Sequence, residues 1–280
     1  MRFDVADEHR LFGESTRSAI GDWEPPREPD LGAWLDDRDD DLARRLGGAG
    51  WAELWEGADF LGAVVAGGLE LGRSIAPVCL LDEATLGGAL TVEGRTRHGA
   101  RASTLAAPVS GGGLALGRLA AEPRLEMTLD ASGTVRAELE IVEELTPIEA
   151  ASRWSAWTAA TLAYGAGLAA KALGLAVDHA RTREQFGVPL ATLPAVQSHL
   201  ANAALAVDGM TLLAWSVTDG AGGLREPELR WAGAACTAVT ASAHQVHGAV
   251  GFAVETGLHR FHRRAKAMQV WAAAVCEVGS

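Results

Sequence analysis

Two short stretches of this chain carry side chains suited to gripping an anion. The first, Arg181-Thr182-Arg183-Glu184-Gln185-Phe186-Gly187-Val188-Pro189-Leu190, closes a long alanine-rich run. An arginine guanidinium can take a diphosphate in a planar two-toothed fork that lysine lacks. Gly187 would let backbone approach the anion with no Cβ in the way. The second stretch, Gln245-Val246-His247-Gly248-Ala249-Val250-Gly251-Phe252, lies near the other end of the chain. There Gly248 and Gly251 can expose backbone N–H groups, and Gln245 offers an amide to a nucleotide edge. The alternative for the first stretch is an arginine-rich helix end that is solvated and matched to the helix dipole.

Helices must position both stretches. Residues 151–183 form one run of helix formers with Leu162, Leu168, Leu173, Leu175 and Val177 at apolar positions. Its Gly165-Ala166-Gly167-Leu168-Ala169-Ala170 fits GxGxxA superficially, but the dinucleotide fingerprint needs a preceding strand. Close helix–helix packing is the better reading of these glycines. Further helices are expected from Pro194 to about Asp219, from Pro227 to His247 and from His259 to Val275. Upstream, helices are expected over residues 4–20, from Leu42 to the glycines before Trp51, and from Gly62 to Arg73. Between about Thr91 and Glu144 the texture is that of strands. Thr134 to Val142 alternates with period two, Leu125 to Leu129 enters a turn at residues 130–133, and Gly111-Gly112-Gly113 is a loop.

Composition excludes several functions. With 280 residues the chain can bury a substantial core. A formal charge of −12 argues against nucleic acid or an anionic membrane as partner. Cys79, Cys236 and Cys276 are far apart and read as buried reduced thiols. The N-terminus does not resemble a signal peptide, and no apolar run reaches membrane-spanning length, so a cytoplasmic protein is expected. His244/His247 and His259/His262 are spaced for one helix face, yet no cysteine or carboxylate stands at a companion spacing. They read as polar histidines on helix surfaces, and no metal site is expected.

In this order and spacing, the two anion-gripping stretches resemble those of the acyl-CoA dehydrogenase family of flavoproteins. The phrase Leu69-Glu70-Leu71-Gly72-Arg73-Ser74-Ile75-Ala76-Pro77-Val78 resembles the end of that family's N-terminal helical domain. The resemblance implies a mainly α fold with a small β domain. Its parts would be an N-terminal helical domain over 1–90, a reduced middle β domain over 91–146 and a C-terminal four-helix bundle over 147–280. It implies FAD as cofactor, with Arg183, Gln185, Phe186, Gly187, Gln197, Gln245, His247, Gly248 and Gly251 on its nucleotide half. It departs from the family in the middle region. The Thr-Glu-Pro segment and the Trp-Ile-Thr-Asn-Gly-type strand that cover the flavin ring are missing, and Ala249 replaces one glycine of a Gly-Gly pair.

The family's reaction is α,β-desaturation of an acyl-CoA thioester. A glutamate removes the α proton while hydride leaves to the flavin. Here Tyr164 and Ala272 occupy the two positions where family members carry that glutamate. A tyrosine with a pKa of about 10 accepts protons poorly at neutral pH. Glu255 is the nearest spare carboxylate. The resemblance therefore implies a subunit of a heteromeric, FAD-dependent acyl-CoA dehydrogenase, with an α2β2 arrangement and a steroid-derived acyl-CoA as a candidate substrate. A homologous full-length subunit would supply the base, and electron-transfer flavoprotein would accept the electrons. The alternatives are a self-sufficient flavoenzyme using Glu255, or a flavin-free scaffold.

Overall fold

The computed structural model describes residues 5–25, 39–51, 53–54, 60–97, 103–122, 124–126, 134–136, 138–219 and 222–279. The turn expected at 130–133 lies outside them. Among the described residues the chain is mainly helical, with one seven-stranded sheet in its middle third and a small two-stranded hairpin.

The N-terminal helices are α1 (Asp7–Ile20), α2 (Asp40–Leu46), α3 (Phe60–Ser74) and α4 (Cys79–Leu86). Asp39 caps α2, its carboxylate accepting from the backbone N–H groups of Asp41 and Leu42 at 3.0 and 2.9 Å. α1 starts three residues later than the reading from Asp4 and has no side-chain cap. Glu70 on α3 ties α1 to α3 by accepting both Arg17 Nε and Nη2, at 2.8 and 2.9 Å, and also pairs with Arg73. At the end of α3, Ile75 stands where helices usually place glycine, with φ +54°. That conformation costs a β-branched residue about 1–3 kcal/mol, so the surroundings must hold it there.

The sheet runs β5-β6-β2-β1-β3-β4-β7. Its members are β1 (Ala89–Val92), β2 (Arg95–Thr96), β3 (Leu105–Val109), β4 (Gly113–Leu119), β5 (Arg124–Glu126), β6 (Thr134–Arg136) and β7 (Leu139–Glu144). β1 and β3 are parallel and the other pairs antiparallel. The alternating stretch from Thr134 to Val142 is two strands, not one. Its first part pairs with β2 and β5, while its second crosses to the far edge beside β4. Nor is β7 half-buried: Ile141 and Val142 are 52% and 67% exposed on opposite faces of an edge strand.

The rest is helical: α5 (Pro147–Thr182), α6 (Pro194–Ser216), α7 (Glu226–His247) and α8 (Leu258–Gly279). α5 opens on a capping box between Thr146 and Glu149, with proline in its first turn. It is long and apolar enough to cross a bilayer by length and composition, which corrects the reading that no run in the chain is. Most of that stretch is buried, since α5 packs on α3, α6 and α7 at the centre of the molecule. Two glycines make the α3–α5 crossing close. A Cβ on Gly72 would sit 2.0 Å from the Tyr164 carbonyl oxygen, and one on Gly167 would sit 2.0 Å from that of Leu69. The GxGxxA glycines thus serve backbone approach between helices, as their helical setting predicts.

Helix and sheet are joined by an ion pair inside the core. Asp82 on α4 is fully buried and takes Arg97 in a two-toothed pair, with Nε at 2.7 Å. The same carboxylate accepts Trp157 Nε1 of α5 at 3.0 Å. Arg97 lies 5.6 Å from the ring centre of Trp271 on α8. One carboxylate therefore connects the N-terminal helices, the sheet and both ends of the C-terminal bundle sequence. The three cysteines are buried free thiols, and burial pushes that of Cys236 up to about 12.

Candidate functional site

α5 and α7 run in the same direction in the bundle, each packed antiparallel to α6, so their C-terminal ends meet. His179, one turn before Arg183, stacks on His247 with ring centres 4.3 Å apart. The two anion-gripping stretches therefore share one end of the bundle.

The first stretch is a hairpin rather than a plain helix end. Arg183 caps α5, its N–H donating to His179 O at 2.9 Å while its carbonyl accepts Leu190 N–H at 2.8 Å. β8 (Glu184–Gln185) then pairs antiparallel with β9 (Val188–Pro189). Phe186 and Gly187 form the two-residue tip with φ +57° and +82°, both in the left-handed region that the tightest hairpin turns require. Phe186 pays for that conformation without gaining burial, being 89% exposed. Arg181, Arg183 and Gln185 are exposed, and neither arginine has an ion-pair partner among the described residues. Gln197, on α6, is exposed and its amide donates to Ala191 O at 2.9 Å.

The second stretch differs from expectation in how its glycines are used. The Gly248 N–H donates to the Gln245 and His244 carbonyls as the cap of α7 and is not available to an anion. Gly248 has φ +61°, so glycine is needed for the turn itself. Gly251 is buried, and a Cβ there would meet His247 Cβ at 2.8 Å, so it serves close packing of the turn on α7. The exposed groups left are the Gln245 side chain, the outer edge of His247, and the apolar Val250 and Phe252. Spacing alone could not show where a glycine's N–H goes.

Of the four histidines read as surface residues, His244 is buried, and His247, His259 and His262 are half-buried. His244 is buried, stacked on Phe252 at 5.1 Å and edge-on to His262 at 5.6 Å. His262 meets Thr240 at 3.0 Å. No group of three metal-binding side chains occurs among the described residues. Desolvation is the first cause that lowers the pKa of His179, His244 and His262, with neighbouring His247 or His244 adding repulsion. The folded chain thus binds fewer protons than the unfolded chain below the ordinary histidine pKa. Stability from these groups is complete above about pH 6.5 and declines as pH falls towards their lowered folded values. Thermal unfolding followed from pH 7.5 to 5 should show a falling midpoint. The His244→Phe variant should show a shallower decline, and an equal slope would remove the cluster as its source.

The remaining candidates stand elsewhere. Tyr164 is wholly buried and donates its hydroxyl to Ala76 O at 2.7 Å, bracing α5 against the segment after α3. Ala272 is buried in mid-α8 beside a void of about 20 Å³ enclosed by α5, α7 and α8. Glu255 is exposed on a turn before α8, at the rim of a cavity of about 860 Å³ between α1, α3, α5 and the start of α8. The buried Asp82–Arg97–Trp157 cluster, with half-buried Trp271 beside it, is absent from the sequence-based site, because nothing in the spacing of those four residues connects them.

Residues 156–272 match the model of the acyl-CoA dehydrogenase C-terminal domain. The mitochondrial short-chain specific acyl-CoA dehydrogenase of Sus scrofa is 33% identical over 119 residues, which is 38% of this chain and 29% of that protein. The match therefore spans less than a third of the relative's length. Among solved structures, the Tcur3481–Tcur3483 steroid ACAD superposes with a TM-score of 0.75 at 21% identity, over 98% of this chain and 97% of that one. The ChsE4–ChsE5 complex from Mycobacterium tuberculosis gives 0.74 at 20% identity, over 99% and 96%. The likeness covers the N-terminal helices, the sheet and the bundle, and it shows the fold.

Proposed function

We propose that this chain, whose residues 156–272 match the acyl-CoA dehydrogenase C-terminal domain, is the non-catalytic subunit of a heteromeric, FAD-dependent acyl-CoA dehydrogenase. The observation that carries this reading is a separation. The side chains suited to a dinucleotide converge on one exposed end of the bundle, while Tyr164 and Ala272, at the family's two base positions, are buried in the core.

The residues at the bundle end fit the adenosine-diphosphate half of FAD. Arg183 offers a guanidinium from a root fixed on both sides by backbone hydrogen bonds. Gln185 and Gln245 offer amides, and Phe186 offers an exposed ring. The surroundings of Ala272 do not fit the flavin ring, since the void there is too small for it. FAD, when bound, supplies hydride acceptance. The role of this chain's own residues is to hold and orient the nucleotide while a partner subunit's carboxylate takes the proton. The partner would be a homologous full-length subunit in an α2β2 assembly, with electron-transfer flavoprotein as acceptor. A steroid-derived acyl-CoA as substrate is supported by the likeness to the Tcur3481–Tcur3483 steroid ACAD.

The exposed apolar groups at the same end, Phe186, Val250, Phe252 and Val254, suit a surface that another subunit covers. Visible absorption of the chain co-purified with a full-length family subunit tests the assignment. Flavin bands are expected in the complex and not in this chain alone. Arg183→Ala removes charge-assisted hydrogen bonds of about 1.5–3 kcal/mol, so flavin affinity of the complex should fall by roughly ten-fold or more. Unchanged flavin content would exclude the shared site. Desaturation by the chain alone, abolished in Glu255→Gln, would instead establish the self-sufficient reading.

A further inference from the structure

The stack of His179 on His247 bridges the two stretches proposed to face the nucleotide. We infer that His179 is a positioning residue, whose ring holds the Arg183 hairpin and the turn after α7 in the one fixed relation that a ligand lying across both requires. The inference rests on the nucleotide reading above and names the residue that makes its two halves one site.

Each half is tied within itself. In the hairpin the Leu190 N–H donates to Arg183 O at 2.8 Å, and in the turn the Gly248 N–H donates to the carbonyls of Gln245 and His244. Among the described residues, no hydrogen bond or ion pair links the hairpin of β8 and β9 to the turn at residues 248–252. The ring pair spans that gap, with centres 4.3 Å apart and planes inclined by 20°. Both partners are anchored. His247 Nδ1 lies 2.8 Å from Ala243 O, one turn back on α7, so that nitrogen is the donor and the ring's orientation is fixed. On the other side the His179 carbonyl accepts the Arg183 N–H at 2.9 Å and the Thr182 hydroxyl at 3.3 Å. The residue whose ring makes the stack therefore also holds the root of Arg183.

A flat, uncharged ring suits this task. Burial first, and then the neighbouring His247 and Arg183, lower the pKa of His179, so its ring is neutral at pH 7. A neutral ring stacks without like-charge repulsion, and aromatic pairs have preferred geometries that aliphatic contacts lack. Both rings are half-buried at the end of the bundle, so the core does not depend on them and their variants should fold.

Amide hydrogen exchange of the chain alone tests the bridge, and FAD binding by its complex with a full-length family subunit tests what the bridge does. His179→Ala should speed exchange at the Leu190 and Gly248 amides by about two- to ten-fold, the scale of one aromatic pair, while the amides of mid-α5 stay protected. The same variant should weaken FAD by a similar factor, and His179→Phe, which keeps a flat ring, should restore both. A role exerted through Arg183 makes the effects non-additive, so in an Arg183→Ala background His179→Ala should weaken FAD little further. Full additivity would overturn the inference, as would unchanged exchange in His179→Ala or a phenylalanine variant as impaired as the alanine one. FAD loss in Arg183→Ala with none in His179→Ala would overturn it and leave the nucleotide reading standing. FAD retention indifferent to Arg183→Ala would remove that reading and this inference together.

Discussion

Replacing Asp82 by alanine is expected to destabilise the protein by about 3–5 kcal/mol, because it leaves a charge buried without its partner. At about 2–4 °C per kcal/mol for a chain of this size, the midpoint of thermal unfolding should fall by roughly 6–20 °C. The reason is the number of elements that meet at this carboxylate. Arg97 would lose its two-toothed partner within the core, Trp157 would lose the acceptor of its indole N–H, and α4 would lose its tie to the sheet. A pair of this kind contributes little compared with well-packed hydrocarbon, so the double variant Asp82→Leu with Arg97→Met should recover much of the loss. Circular dichroism melts of the three proteins make the comparison. A single-variant shift of under about 2 °C, less than one kcal/mol on the same scale, would show that Arg97 finds water when Asp82 is removed.

The second large effect is expected from a single methyl group. Gly167→Ala places a Cβ 2.0 Å from the Leu69 carbonyl oxygen, and Gly72→Ala places one 2.0 Å from that of Tyr164. Both obstacles are backbone, so no side-chain rotation can clear them. The helices must separate, opening the crossing that buries Leu71, Ala163 and Leu168. Overpacking costs about 1–3 kcal/mol where side chains can yield, and this clash should reach the upper end of that range or exceed it. Gly165→Ala is the control. A Cβ there meets nothing within 4 Å, and alanine favours the helix by about 1 kcal/mol over glycine. Urea denaturation should therefore order the variants with Gly165→Ala at or above the unsubstituted chain and Gly167→Ala well below it. Equal midpoints for the two would contradict the close crossing.

Much of this was legible in the sequence because local signals agreed with the global fold. Periodicity and the punctuation at Pro147, Pro194 and Pro227 located the helices of the bundle, and the helical setting of Gly165-Ala166-Gly167 excluded a phosphate loop. The β region yielded less. Thr134 to Val142 alternates smoothly, and only pairing reveals that the chain leaves one edge of the sheet and returns at the other. His244 was misplaced because its neighbour His262 sits on a different helix, and its burial is a product of how α7 and α8 pack. In the two stretches proposed to face a nucleotide, the side-chain types at Arg183 and Gln245 were readable. The use of the Gly248 N–H as a helix cap was not, since a hydrogen bond along the chain leaves no mark in spacing.

The 36 residues of α5, about 54 Å of helix at 1.5 Å per residue, also set the order in which the protein can be completed as it leaves the ribosome. α3 and α4, the partners of its first half, precede it in the chain and are available when Trp154 to Leu168 emerge. α6 and α7 follow it, α7 reaching back to its first half where Cys236 meets Gly165, and the His179–His247 stack cannot close until 68 further residues have been made. During synthesis one end of this helix is therefore sheltered while the other presents Ala172, Ala176 and Ala180 to solvent. The end that waits is the one that carries Arg183, so the surface proposed to face the nucleotide acquires its shape only after α7 is complete.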